Sequence, residues 1–271
     1  MQWLAHLVAY VSGLITLPVL GRVFGSVFAE ARSHWSGILA ARRVIRRQLD
    51  PLLKSADELH GKLRSLAEED FVDFKDLPEG DLSLAQLVDL CSTLYLFAQF
   101  WARLEILRRE SFHAELSATK EGALLLKFLR SLESRRTRLV DRAWQRAIGE
   151  LVLQVAGDRK DMINFSEFVE RYQPGAQLRR WFLPLEEILR GTSRGMAKDR
   201  QRLRQRVLQY GVVVHALVDT LDPKHRTTRE RPAYANKLTR RSKREIIGRV
   251  FRTYLPEVAN RDVRKYTGID Q

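Results

Sequence analysis

The chain has 271 residues and a single cysteine, Cys91, so it is long enough to bury a core without metals or disulfides and forms no intrachain disulfide. A lone cysteine inside an apolar run reads as a small buried hydrophobe in a reducing compartment. Lysine and arginine outnumber aspartate and glutamate by 47 to 33, a formal charge of +14. From Thr192 onward there are 20 basic and 8 acidic residues, so the excess belongs to the last third. An acidic stretch, Glu68, Glu69, Asp70, Asp73, Asp76, Glu79, Asp81 and Asp89, forms the opposite pole.

The run Trp3–Leu20, WLAHLVAYVSGLITLPVL, carries no formal charge. As a helix it reaches about 27 Å, close to a bilayer's hydrocarbon thickness. Its apolar residues Trp3, Leu4, Leu7, Val8, Tyr10, Val11, Leu14, Ile15, Leu17, Val19 and Leu20 fall on all sides rather than on one stripe, which points to a membrane anchor or a fully buried helix. No positive region precedes the run, as a signal peptide requires; Arg22, Arg32, Arg42, Arg43, Arg46 and Arg47 follow it. The positive-inside rule then predicts a single-pass protein of the cell membrane, N-terminus outside and body cytoplasmic. The alternative is a cytoplasmic protein with this run in its core.

Residues from Ser33 to about Gln48 continue as helix, and Asp50-Pro51 predicts a kink or break followed by a restart. Beyond it Leu52, Ala56, Leu59, Leu63, Leu66 and Ala67 recur at steps of three and four, the pattern of a helix with one buried face. Residues 71–83, with Pro78 and Gly80, form a connector ending in the candidate caps Asp81 and Ser83. A helix from Leu84 to about Arg109 contains the uncharged stretch 90–102, too short and too polar at its margins for a second span, so it is a central buried helix. Next come a helix from about Thr119 to Val155, broken near Ser134, and a shorter one over Asn164–Tyr172. Another covers Gln177–Arg190, with Pro184 inside it as an alternative start, and a last long one Lys198–Leu221, basic first and apolar later. Beyond Asp222 the composition predicts an irregular basic tail with one short helix near Lys243–Tyr254. No strand pattern of period two stands out.

The expected fold is therefore all-α, an irregular bundle of about six to eight helices. Its parts are a hydrophobic anchor helix (1–30), a helical bundle (31–221) and a basic, proline-containing tail (222–271).

The chain carries no H-E-x-x-H, no zinc-spaced cysteine and histidine cluster, no phosphate-cradling glycine loop and no G-x-S-x-G elbow. The reading is of a protein that is not an enzyme, with no cofactor and no metal. His215 and Asp219 share a helix face, but a satisfied histidine near a helix end is the plainer account. Residues 158–168 imitate the exit of a calcium loop, yet Ala156, Lys160 and Asp161 stand where ligands and a glycine are needed, so a capped helix start at Asn164 or Ser166 is expected.

Two basic clusters remain. Arg194, Lys198, Arg200, Arg202, Arg204 and Arg206 crowd one helix start, and Arg240, Arg241, Lys243 and Arg244 crowd the tail. Such clusters bind anionic lipid or an acidic protein, and nucleic acid is the second reading. The segments DPLLKSADELHGKLRSL (50–66) and QRAIGELVL (145–153) resemble a family of bacterial helical proteins, without assigned activity, that pair an N-terminal hydrophobic helix with a helical body. The resemblance implies a bacterial source and an N-terminal anchor, and no functional residue. The leading expectation is a membrane-anchored cytoplasmic scaffold or interaction protein; the alternative is a soluble helical nucleic-acid-binding protein.

Overall fold

The computed structural model describes residues 2–75, 77–78, 81–111, 115–156, 159–173, 175–233, 235–258 and 265–266, with side chains at 32 and, from 35 onward, at all of these but 155–156, 159–160 and 235. The fold is helical, with helix α1 over Gln2–Glu68, α2 over Leu84–Glu110, α3 over Lys120–Leu132 and α4 over Arg142–Leu151. After a short hairpin come α5, Phe165–Arg171, α6, Gln177–Gly191, and α7, Ala197–Leu221. The chain ends in α8, Arg240–Glu245, which runs through a π-helical turn, Ile246–Phe251, into a last turn at Arg252–Tyr254.

Helix α1 is one continuous element of 67 residues. The predicted break at Asp50-Pro51 does not occur. Proline removes one N–H and costs about 3 kcal/mol in a helix interior, but Ile45, Leu52, Leu53 and Ala56 are buried on both sides of it, each large side chain contributing about 2 kcal/mol. The packed part of α1 begins at Ala41, the first described residue to be buried; before it Trp35 is 63% and Leu39 50% exposed. The periodic residues Leu52, Ala56, Leu59, Leu63, Leu66 and Ala67 are all buried, and they face α2 and α7. Among the described residues no helix is long and apolar enough to cross a membrane. The side chains of the candidate anchor, Trp3 to Leu20, lie outside the described residues.

Helix α2 starts at a capping box: the Ser83 hydroxyl accepts from the Gln86 N–H, and the Gln86 side chain accepts from the Ser83 N–H. It is the central element, with Leu90, Cys91, Leu94, Phe97, Ala98, Phe100, Trp101 and Leu104 all buried. Trp101 Nε1 donates to the Tyr210 hydroxyl at 2.8 Å, tying α2 to α7 through the core. Thr119, Asp141 and Asn164 cap α3, α4 and α5 with their side chains. The Asn164 cap accounts for the calcium-loop imitation, its side chain accepting from the Glu167 N–H at 2.8 Å.

One local expectation is corrected and one alternative start is removed. Helix α4 ends at Leu151, and the chain turns into a two-stranded antiparallel hairpin, β1 over Leu153–Ala156 and β2 over Arg159–Met162, with Leu153 opposite Met162 and Ala156 opposite Arg159. Four-residue strands show too few alternations to stand out from the helical pattern beside them. Helix α6 runs straight through Pro184, with Leu185, Glu186 and Leu189 buried beyond it.

Helix α7 runs antiparallel to α1. Arg204 pairs with Asp70 just past the end of α1, His215 packs on His60, and Thr227, just past the end of α7, reaches Asp50, so positions ascend along α7 as they descend along α1. The C-terminal segment is part of the core: Leu238, Ile246, Val250, Phe251, Leu255, Val258 and Tyr266 are buried in the same cluster as α1, α2 and α7.

Candidate polyanion-binding surface

The basic start of α7 follows a turn at Gly195, whose φ of +78° suits glycine. Its apolar half, Val207 to Val218, is buried, which leaves the first two turns projecting at one end of the body. Lys198 and Arg202 are exposed there, and the Arg202 side chain, 71% exposed, lies 3.4 Å from Asp199. An ion pair this exposed holds little energy, so its guanidinium stays available to a ligand. Arg200 donates to the Gly195 carbonyl at 2.9 Å, and Arg194 is half-buried.

Two of the six sequence candidates in this cluster hold the fold together. Arg204 donates to the Thr192 carbonyl at 2.6 Å and to the Asp70 carboxylate at 2.6 Å, and its guanidinium covers the Phe71 ring. It thereby clamps Asp70 and Phe71, both with φ near +60°, a conformation that costs a non-glycine residue energy. Arg206 donates to the Leu139 carbonyl at 2.8 Å and the Arg138 carbonyl at 3.2 Å. Burial and the neighbouring Arg202 pull its pKa below the usual arginine value.

The residue between them joins the two clusters. Gln205 is buried; its Nε2 donates to the Lys237 carbonyl at 3.0 Å, and its Oε1 accepts from the Thr239 N–H at 2.9 Å. Thr239 is the N-cap of α8, so this one amide sets the first turn of α8 against the third turn of α7. Arg240, Arg241 and Arg244 of that turn are exposed and Lys243 is half-buried. Arg206 joins the loop between α3 and α4 to the same seam, and there Arg135 and Arg136 are exposed. Sequence reasoning missed that third contribution: the Arg-Arg pair was visible, but nothing in the chain relates position 135 to position 206. The face is thus built from three segments, 135–142, 194–206 and 235–245, whose only acidic residues are Asp141, Asp199 and Glu245. No aromatic residue occurs in any of the three.

The interior polar groups do other work. His215 meets the Tyr266 hydroxyl through Nδ1 and the Arg231 carbonyl through Nε2, each at 2.9 Å, while Asp219 pairs instead with Lys265 at 2.7 Å. Burial, then His215 and Arg231, push His60 down to about 2, and burial also lowers His215. Glu186 is buried yet kept ionised by the Tyr172 hydroxyl at 2.6 Å and Arg190 at 2.7 Å, and burial raises the Cys91 thiol to about 12. These networks pin the C-terminal segment and α6. An open groove of about 380 Å³ lies where α1, α2 and β2 meet, with Asp50, Lys54, Glu58 and Arg103 on its walls, a mixture with no dominant sign. Among the described residues no group of three histidine, cysteine or carboxylate side chains is placed to hold a metal ion. Comparison with family models, with curated protein sequences and with solved structures finds no match to the chain.

Proposed function

We propose that this chain is a membrane-tethered helical scaffold that presents a basic face to a polyanionic partner. The observation that carries the reading is the shape of α1. The helix is unbroken from Gln2, and among its described side chains burial begins at Ala41, behind the exposed Arg32, Trp35, Ser36 and Leu39, at the end of a helical arm about 60 Å long. The uncharged run Trp3–Leu20 occupies the far end of that arm, and arginines at 22, 32, 42, 43, 46 and 47 follow it, the charge order of an N-out tether with its body in the cytoplasm. A body closed by interior polar networks, with three basic segments joined along one seam, suits binding better than catalysis.

The test is to express the full chain and a version starting at Glu30 and to fractionate both. A tether predicts that the full chain alone sediments with membranes and resists carbonate extraction. Full-length protein released by carbonate, or found in the soluble fraction, overturns the tether.

A further inference from the structure

The geometry points to a double-stranded nucleic acid, held by its phosphates, as the ligand of the basic face. This deepens the tethered-scaffold reading and rests on it for the argument from distance. Because α7 is antiparallel to α1, the basic start of α7 lies at the C-terminal end of α1, where Arg204 meets Asp70. Along α1, Glu68 is about 70 Å from Leu20. A tether ending at Leu20 therefore holds the face well beyond the Debye length, about 8 Å at physiological salt, from its own lipid headgroups. The polyanion this face meets comes from the aqueous side.

Its chemistry narrows the partner. The exposed cations are mostly arginines, Arg135, Arg136, Arg202, Arg240, Arg241 and Arg244, whose planar forks match phosphate oxygens two at a time. A stable protein interface is built around a cluster of buried aromatic or aliphatic anchors, and the three segments contain no aromatic residue and a single large exposed apolar side chain, Met196. The same lack argues against single strands, which such proteins bind by stacking bases on rings. A duplex backbone needs neither anchors nor stacking, because release of condensed counterions drives its binding.

The experiment uses the full chain in neutral detergent and random-sequence duplexes, so a chain that proves untethered leaves the duplex result readable. Duplex should bind at about 50 mM salt and lose about a hundredfold in affinity by about 200 mM, as about four neutralised phosphates require. Reversing three face charges together, Arg202→Glu, Arg240→Glu and Arg241→Glu, should weaken binding at least tenfold and lower the logarithmic salt slope by about 2.7. All three side chains are exposed, and Arg240 and Arg241 lie in the first turn of α8, where glutamate is favourable, so the variant is expected to fold, which its thermal unfolding checks. The matched reversal at the arm, Arg42→Glu, Arg43→Glu and Arg46→Glu, changes net charge equally and should cost less than threefold. No duplex binding at about 50 mM salt overturns the proposal, as does an arm variant as weak as the face variant. Single strands bound tenfold tighter than duplex, or phosphatidylserine vesicles bound in place of duplex, also overturn it.

Discussion

His215 shows how one buried side chain ties distant parts of the chain. A backbone carbonyl can only accept, so the contact with Arg231 places the proton on Nε2, and Nδ1 accepts from the Tyr266 hydroxyl. His60 lies against it, with ring centroids 4.7 Å apart. Both are neutral in the fold because burial opposes protonation of each, with His215 and Arg231 adding to the effect at His60 and Lys265 at His215. The sign of the pH effect follows. Each pKa is lower folded than unfolded, so between about 6.5 and the folded value the unfolded chain binds the extra proton. Stability is flat above about pH 6.5 and falls by about 1.4 kcal/mol per pH unit per histidine below it. Glu186 and Asp222, both held below the usual carboxylate range by hydrogen bonds to their ionised forms, add a further loss only at lower pH. Urea unfolding at pH 7.5, 6 and 5 should show the histidine slope, and His60→Gln should flatten it by about half. A wild-type chain equally stable at pH 7.5 and 5 would contradict this account.

At the scale of elements, α4 crosses α2 backbone to backbone at Gly149. A Cβ added at Gly149 would lie 2.8 Å from the Trp101 carbonyl carbon and oxygen and 2.9 Å from the Ala102 nitrogen, all backbone atoms that cannot swing aside. Gly149→Ala should therefore destabilise the fold by about 1–3 kcal/mol as α4 is forced away from α2, although alanine is the better helix former. Thermal unfolding measures it. Gly37→Ala is the internal control: a Cβ there meets nothing within 4 Å, so helix propensity alone acts and the change is neutral or mildly stabilising. Spacing in the sequence marks Gly149 only as an unfavourable helix residue; what makes it necessary is a helix more than forty positions away.

For the whole molecule, the last fifty residues decide whether the core closes. The region from Asp222 reads as a basic tail, yet Phe251, Leu255, Val258 and Tyr266 are buried against the body, and Asp57, Asp219 and Lys127 pair with Arg231, Lys265 and Glu257 of that region. Ending the chain at Ala233 should expose this apolar surface and give a protein that aggregates or unfolds without a sharp transition, measured by calorimetry and light scattering. A truncated chain that still unfolds cooperatively at the full-length temperature would show that the segment is dispensable.

The sequence by itself determined the all-α class, the buried face of α1, the central burial of α2, the caps at Ser83 and Asn164, and the split of α7 into a basic and an apolar half. Each depends on residues within a turn or two of one another, where spacing and side-chain chemistry dominate. The continuity of α1 through Pro51, the passage of α6 through Pro184 and the hairpin after α4 were decided by tertiary structure, because burial on both sides of a proline outweighs its local cost and short strands leave little pattern. The face on which Arg202, Arg240 and Arg135 meet was also decided there. The cations were legible one cluster at a time, but Gln205 and Arg206 bring them together through backbone groups 32 and 67 positions away, a pairing no local pattern encodes.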